Sequence, residues 1–339
     1  MHAQLLRTEL QRAGWGVELI TLESLPLALR FLPHVAGRAL NWFNPPMGFY
    51  YKGRLTRFLY KRLFDRAAQL KIFEDVYLAW NSSDPSVTLL HAVWSDNLQS
   101  FSSDLTAVRS LVKAEERVID SIAHPVITVS DRYRDYLLTS HRGSRRLPQV
   151  AVIPLGLDLA AFDIDVPAQH TAKSLVFCGS LEPRKNLRFL LEVFQQLHRE
   201  DGGYRLTIIG DGPDQTELDR FAAKHALPVD FRGRLDREGV IRELRRHSVY
   251  VHPSVKESFS FALLEGKMAG LKTVAYKELE VPVEFVDVPV ATFDVADWLA
   301  SIRLADDAVS KKIETDIYSS RKMMLDTLAL AFNATEGTS

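Results

Sequence analysis

The chain of 339 residues has a single cysteine, Cys178, so no internal disulfide can form within it. Its setting in "SLVFCG" reads as a small buried thiol on a strand, and a reducing compartment is the matching expectation. No apolar run approaches the roughly 18 residues of a spanning helix. No signal-peptide pattern follows Met1, so a cytoplasmic location is expected. Neither sign of charge is in excess: 42 Lys and Arg stand against 43 Asp and Glu, a net of −1, which argues against nucleic acid as the main partner. No Gly-x-Gly-x-x-Gly follows a strand, and "GDGPD" lacks that spacing, which counts against a nicotinamide-dependent oxidoreductase. The histidines show no Cys or acidic partners at metal-ligand spacing, so no metal site and no cofactor are expected.

What the sequence does have is alternation of short apolar segments with stretches of helical periodicity, the pattern of βα units around a parallel sheet. The strand candidates are 17–22, 87–93, 125–130, 150–154, 174–179, 205–210, 229–233, 249–253 and 272–276. Between them, "NLRFLLEVFQQLHRE" and "QTELDRFAAKHA" carry apolar residues three and four apart and predict helices. Residues 156–173 lack periodicity and include Pro167, which places a domain boundary there. The expected architecture is α/β, with two Rossmann-like parallel-sheet domains facing a cleft.

The stretch "ESFSFALLEGKMAG" follows the strand "VYVHP" and opens a helix near Phe261. Glu257 then sits at the carboxyl edge of a parallel sheet, where open α/β folds bind ligands. Ser260 reads as an N-cap, and the free N–H groups behind it suit an anion. Glu265 lies about one turn inside the helix, and Gly270 ends it. A diphosphate on the helix N-terminus, with a carboxylate on each side to accept sugar and ribose hydroxyls, is the ligand this pattern fits.

The segment "HPSVKESFSFALLEGKMAGLKTVAY" resembles the donor-site signature of retaining nucleotide-sugar glycosyltransferases of the GT-B fold (glycosyl transferase group 1). "VFCGSLEPRKNLRFLLEVF", "LTIIGDGP" and "VDFRGRLDREGVIRELRRHSVYVHPS" resemble successive parts of that family's second domain, and "VITVSDRYRDYLL" and "VAVIPLGLDLAAF" the end of its first. The resemblance implies metal-independent transfer of a sugar from a nucleotide-sugar to a saccharide or lipid-linked acceptor. It implies Glu257, Lys185 and His91 as catalytic residues. For donor binding it implies Gly179, Ser180, Arg184, Lys185, Glu257, Phe259, Ser260, Phe261 and Glu265. Glu257 faces the donor sugar, Glu265 holds the ribose and Lys185 the diphosphate. His91, at a strand end, is otherwise an ordinary structural histidine. Two positions depart from the family pattern. Ser180 stands where arginine is common, with Arg184 close by, and Leu155 stands where asparagine is common. The implied domains are 1–160, 171–315 and a helix at 316–335 crossing back to the first domain. The chain opens at what the resemblance makes the first helix, so the family's earlier strand and glycine-rich loop are expected to be missing. Donor binding without turnover, as a binding protein or partner subunit, is therefore the alternative.

Residues 26–73 hold nine basic residues against Asp65 alone, a local net of +8. From 53 to 71, Leu55, Phe58, Leu59, Leu63, Ala67 and Leu70 follow helical spacing, with Arg54, Arg57, Lys61 and Arg62 among the basic residues beside them. Two readings stand open: a basic interfacial helix on an anionic membrane or an acceptor lipid, with the protein peripheral at the inner face of the membrane, and an ordinary helix packed on its own domain.

Overall fold

The computed structural model describes residues 2–43, 45–91, 105–140, 150–162, 171–307 and 313–336. They form two compact units, the first from residues 1–157 and 316–339 and the second from 158–315. Pro167 lies outside the described residues. No described helix is long and apolar enough to cross a membrane.

In the first unit, α1 (His2–Arg12), α2 (Leu27–Arg30), α3 (Leu32–Phe43) and α4 (Pro45–Phe64) precede β1 (Lys71–Phe73) and β2 (Ser86–Leu90). α5 (Leu105–Asp120), β3 (Val126–Thr128), α6 (Asp131–Ser140) and β4 (Val150–Val152) follow. The sheet is parallel, in the order β1-β2-β3-β4.

The second unit contains β5 (Ser174–Cys178), α7 (Leu187–Glu200), β6 (Arg205–Ile209), α8 (Gln215–Lys224), β7 (Val229–Gly233), α9 (Arg237–Leu244) and β8 (Val249–His252). α10 (Phe261–Met268), β9 (Lys272–Tyr276), β10 (Val288–Val290) and α11 (Val295–Asp307) complete it. The chain then returns to the first unit as α12 (Ser320–Glu336), whose Met323, Met324 and Ala331 pack with Leu6 and Leu10 of α1 and Val87 and Leu89 of β2. The return is clipped by backbone: Leu157 N–H donates to Tyr318 at 2.7 Å, and Ser320 N–H donates to Leu157 at 2.8 Å.

The sheet of the second unit is parallel throughout, in the order β10-β9-β8-β5-β6-β7. β5, β6, β8 and β9 are buried along nearly their whole length, as strands of a parallel sheet covered on both faces are, while the edge strand β7 alternates. α7 buries Leu187, Leu190, Leu191, Phe194 and Leu197, the stripe its spacing predicts, against the same core as Phe177, Ile208 and Trp298. The strand order reverses at β5: the chain winds outward through β6 and β7, then crosses back to lay β8 on the other side of β5. A reversal of this kind opens a crevice beyond the carboxyl ends of the two strands.

Two expectations are corrected. Residues 17–21 join no sheet. Ile20 and Leu22 pack toward Leu25, Leu59 and Tyr60. A cavity of about 480 Å³ is lined both by residues 15–20 and by β1, so the segment stands off the β1 edge and makes no ladder bonds with it. An apolar alternation becomes a strand only where a neighbour supplies ladder bonds. The helix expected over 53–71 ends at Phe64. Asp65 turns out of it to pair with Lys71 of β1 at 2.5 Å, and Asp84 accepts the Ala68 N–H at 3.0 Å, which commits the following backbone to the sheet rim.

α10, the helix after Glu257, is fixed from behind by a buried ion pair. Lys267 reaches Asp287 at 2.7 Å, with side chains 1% and 2% exposed, and Asp287 also accepts the Thr273 N–H at 3.0 Å. Removing one partner of such a pair leaves an uncompensated buried charge. Lys267→Ala is expected to cost about 3–5 kcal/mol in urea unfolding of the second unit. Arg303→Ala, which breaks an exposed pair with Glu200, should cost under about 1 kcal/mol. Equal losses would show that the buried pair does not hold the helix.

Candidate functional site

The reversal point of the second sheet gathers two loops. The one after β5 carries Gly179 and Ser180 and makes a single 3₁₀ turn, Pro183–Lys185, before Asn186 enters α7 with φ +53°. The one after β8 runs from Pro253 to Ser260. The Val255 N–H donates to the Arg184 carbonyl at 3.0 Å and joins the loops directly. Gly210, after β6, has φ +134°, and a Cβ there would stand 1.9 Å from the Gly179 carbonyl oxygen, so only glycine allows this approach.

Glu257 is the meeting point of the two loops. Its Oε1 accepts from Lys185 Nζ in a short ion pair, from Arg184 Nη1 at 3.2 Å, and lies 3.3 Å from His252 Nε2. The Glu257 side chain is 10% exposed and that of Lys185 9%, so Lys185 is no solvated surface lysine. Burial alone would raise the Glu257 carboxyl. The His252 hydrogen bond and the charges of Lys185, His252 and Arg184 together outweigh it and hold the group well below its ordinary value. Arg184 is shared, with its Nε 2.6 Å from Glu182. Ser180 Oγ also turns to Glu182, at 2.9 Å, so Arg184 and not Ser180 brings charge to Glu257.

Ser260 caps α10 from a left-handed conformation, φ +64°, with its Oγ accepting the Leu263 N–H at 3.3 Å. The N–H groups of Phe261 and Ala262 have no acceptor among the described residues, which leaves donors open at the helix entry, where Ser260 Oγ lies 3.4 Å from His252 Nε2. A strained residue at a helix entry marks a place where backbone geometry is imposed by its surroundings. The Phe259 ring is buried against Phe261 and Phe285, so it supports the loop rather than lining a surface.

Glu265 lies on α10 with Arg237 Nη1 of α9 3.7 Å away. Burial pushes its carboxyl up, and Arg237 offsets part of the rise. Cys178, between the two glutamates' surroundings, is pushed up to about 12, first by burial and then by the Glu265 charge. The Tyr250 hydroxyl donates to the Cys178 carbonyl at 2.8 Å, and its own ionisation is raised by burial and by charges that include Glu265 and Glu257. The structure thus brings Gly179, Ser180, Arg184, Lys185, Glu257, Ser260, Phe261 and Glu265 to one sheet edge.

Sequence reading did not single out His252 or Arg237 for the site. His252 is fully buried and stacked near Phe177 and Tyr250, and burial pushes its imidazole down. Its position as the last residue of β8 is the available signal. Arg237 gives none, because its link to Glu265 spans two helices. His91 lies in the first unit, where it meets Glu74 at 3.3 Å. Arg54, Arg57, Lys61 and Arg62 all lie on α4, and the first three line a cavity of about 400 Å³ with Phe58, Trp80 and Asn81. Arg57 is tied inward, donating to the Ala79 carbonyl at 3.4 Å.

Residues 162–314 match the family described as glycosyl transferases group 1. The phosphatidylinositol N-acetylglucosaminyltransferase gpi3 subunit of Schizosaccharomyces pombe is 28% identical over 179 residues, 50% of this chain and 39% of that protein. A GDP-mannose-dependent alpha-(1-6)-phosphatidylinositol dimannoside mannosyltransferase of Mycobacterium tuberculosis is 33% identical over 131 residues, 36% of this chain and 34% of that protein. The chain spans well under half the length of both. Among solved structures, sucrose-phosphate synthase from Thermosynechococcus elongatus superposes with a TM-score of 0.61 at 17% identity, covering 98% of this chain and 91% of that one. Anabaena HepE, solved with UDP and glucose, gives 0.56 at 16%, covering 98% and 88%. These neighbours share the two-sheet α/β fold.

The raised Glu265 carboxyl has a defined sign in stability. A carboxyl raised in the folded state favours folding below its unfolded value, and that contribution is lost as pH rises through the folded one. Glu265→Gln is therefore expected to raise the urea midpoint of the second unit at neutral pH, with the gain vanishing below the ordinary 4.5. A Gln variant less stable than wild type at neutral pH would show that Arg237 fully compensates the charge.

Proposed function

Taking residues 162–314 as a glycosyl transferase group 1 domain, we propose that the chain binds a nucleotide-sugar at the reversal point of its second sheet. It transfers the sugar, with retention, to a saccharide or lipid-linked acceptor hydroxyl. The observation that carries this reading is Glu257, buried beside an open helix N-terminus and held by Lys185, Arg184 and His252. A diphosphate entering there meets Lys185, Arg184 and the N–H groups of Phe261 and Ala262. It competes with Glu257 for the two cations, which releases the carboxylate to accept sugar hydroxyls. Glu265 accepts the ribose hydroxyls.

A covalent route needs a free carboxylate nucleophile at the anomeric carbon. With Glu257 assigned to the sugar hydroxyls and Glu265 to the ribose, neither is left as nucleophile, and front-face attack is the better fit. In that step the bond from the anomeric carbon to the diphosphate oxygen breaks as the bond to the acceptor oxygen forms. The acceptor proton passes to the departing phosphate. Lys185, Arg184 and the helix terminus stabilise the developing charge, and no metal ion is required at the diphosphate.

Both relatives described above carry phosphatidylinositol in their names, which supports a lipid-linked acceptor. On this chain Leu27, Phe31 and Val35, four residues apart, are 62–70% exposed, and Phe58 is 63% exposed within the basic region. An anionic membrane surface suits that combination. The open edge of β1 beside unpaired residues 17–21 favours a second reading, donor binding without transfer.

Calorimetry should separate the roles of the glutamates. Glu265→Ala is expected to weaken a nucleoside diphosphate by about 1.5–3 kcal/mol, and Glu257→Ala to weaken the intact sugar donor more than the bare diphosphate. Equal losses for both ligands at Glu257 would overturn its assignment to the sugar. Acceptor-dependent release of nucleoside diphosphate decides between transfer and binding alone. For the membrane, replacing the exposed Arg54, Lys61 and Arg62 with glutamine should reduce co-sedimentation with anionic vesicles by about 1 kcal/mol per charge. Binding indifferent to salt and lipid charge would exclude this surface.

A further inference from the structure

We propose that His2, Glu74 and His91 form a binding site for a divalent transition-metal ion, with zinc as the best-fitting occupant. The residues come from three places in the first unit. His2 opens α1, Glu74 directly follows β1 and His91 directly follows β2. β1 and β2 are parallel neighbours, with Phe73 opposite Thr88, so their carboxyl ends deliver Glu74 and His91 to one rim of the sheet, where α1 lays His2. The site lies in the first unit and does not depend on the donor chemistry assigned to the second.

The geometry suits an ion. Glu74 Oε2 lies 2.9 Å from His2 Nδ1 and 3.3 Å from His91 Nε2. One ligand atom from each residue falls within 4.8 Å of the others. A tetrahedral ion with bonds of about 2.0–2.1 Å keeps its ligand atoms about 3.3 Å apart, so this set needs little movement to close on one. Two imidazoles and a carboxylate suit zinc and its first-row neighbours, whereas magnesium and calcium favour all-oxygen sets. Three protein ligands leave a position for water. The side chains of His91 and Glu74, 37% and 29% exposed, give it access to solvent.

Charge balance points the same way. Glu74 is half-buried, and among the described residues its ion-pair partners are the two histidines, with no lysine or arginine. Both histidines present a ring nitrogen to the one carboxylate, the arrangement in which a carboxylate and imidazoles share a cation. A dication bound by all three groups would replace those two contacts with three bonds to a single ion.

The test uses the full chain, stripped by dialysis against a chelator. Titration with Co²⁺ should give one ion per chain with the strong visible bands of four- or five-coordination, displaced stoichiometrically by Zn²⁺. Glu74→Gln and His91→Ala should each weaken Zn²⁺ binding in calorimetry by about tenfold or more. His34→Ala, on the exposed part of α3, should leave it unchanged. Replacing buried His2 risks unfolding α1, so the assignment is read from the other two positions, with circular dichroism of the metal-free variants matching wild type. Absence of the cobalt spectrum, or zinc affinity that Glu74→Gln and His91→Ala leave intact, would overturn the proposal and leave Glu74 as a hydrogen-bonded bridge between two imidazoles.

Discussion

A carboxylate withdrawn from water must be given cations and donors, or it takes up a proton. Glu257 obeys this rule with Lys185, Arg184 and His252 together, and the rest of the second unit serves to bring those three to it. Lys185 and Arg184 come from the loop after β5, and His252 ends β8. They meet because the chain crosses back after β7 and sets β8 beside β5. The crossing does more for the chemistry than any local motif, since it joins residues more than sixty positions apart at one edge. The Val255–Arg184 backbone bond and the glycine contact between Gly210 and Gly179 then fix how closely the loops approach.

The same unit carries a second buried charge pair with a different task. Lys267, on α10, meets Asp287, and their exposure of 1–2% leaves water no share in the interaction. Charges so placed contribute orientation more than net stability, because desolvation consumes most of the attraction. Glu265 shows the converse. Burial destabilises its ionised form, and the fold tolerates that at the position we propose for the ribose hydroxyls. Strain at Ser260, the unbonded N–H groups behind it and the raised Glu265 carboxyl are local sacrifices gathered at one sheet edge.

Legibility followed the range of the interactions involved. α7 was readable because Leu187, Leu190, Leu191, Phe194 and Leu197 repeat at three and four. β5, β6, β8 and β9 were readable as apolar runs. β1 and β10, three residues each, lie where no strand candidate was placed. Residues 17–21 alternate like a strand, but a strand also needs a partner, and partners are a tertiary matter. The helical spacing beyond Phe64 failed for a similar reason: Lys71 competes for Asp65 from the next strand. In the candidate site, the family resemblance supplied the roles of Glu257, Glu265 and Lys185. Arg237 and His252 join them only through folding, as do His2, Glu74 and His91, which no spacing rule connects.

The route of the chain through the two units sets an order on synthesis. The second unit is one uninterrupted segment, residues 158–315, inserted into the first, with its entry and exit clipped side by side where Leu157 bonds to Tyr318 and Ser320. A ribosome delivering about 5–20 residues per second finishes the inserted unit while α12 is still unmade. Until that helix arrives, Leu6, Leu10, Val87 and Leu89 lack the side chains that cover them in the finished core. The nascent protein thus owns a complete second unit before its first unit can close. A premature stop ahead of α12 would release a chain whose inserted unit is whole and whose first unit presents apolar surface to chaperones and proteases.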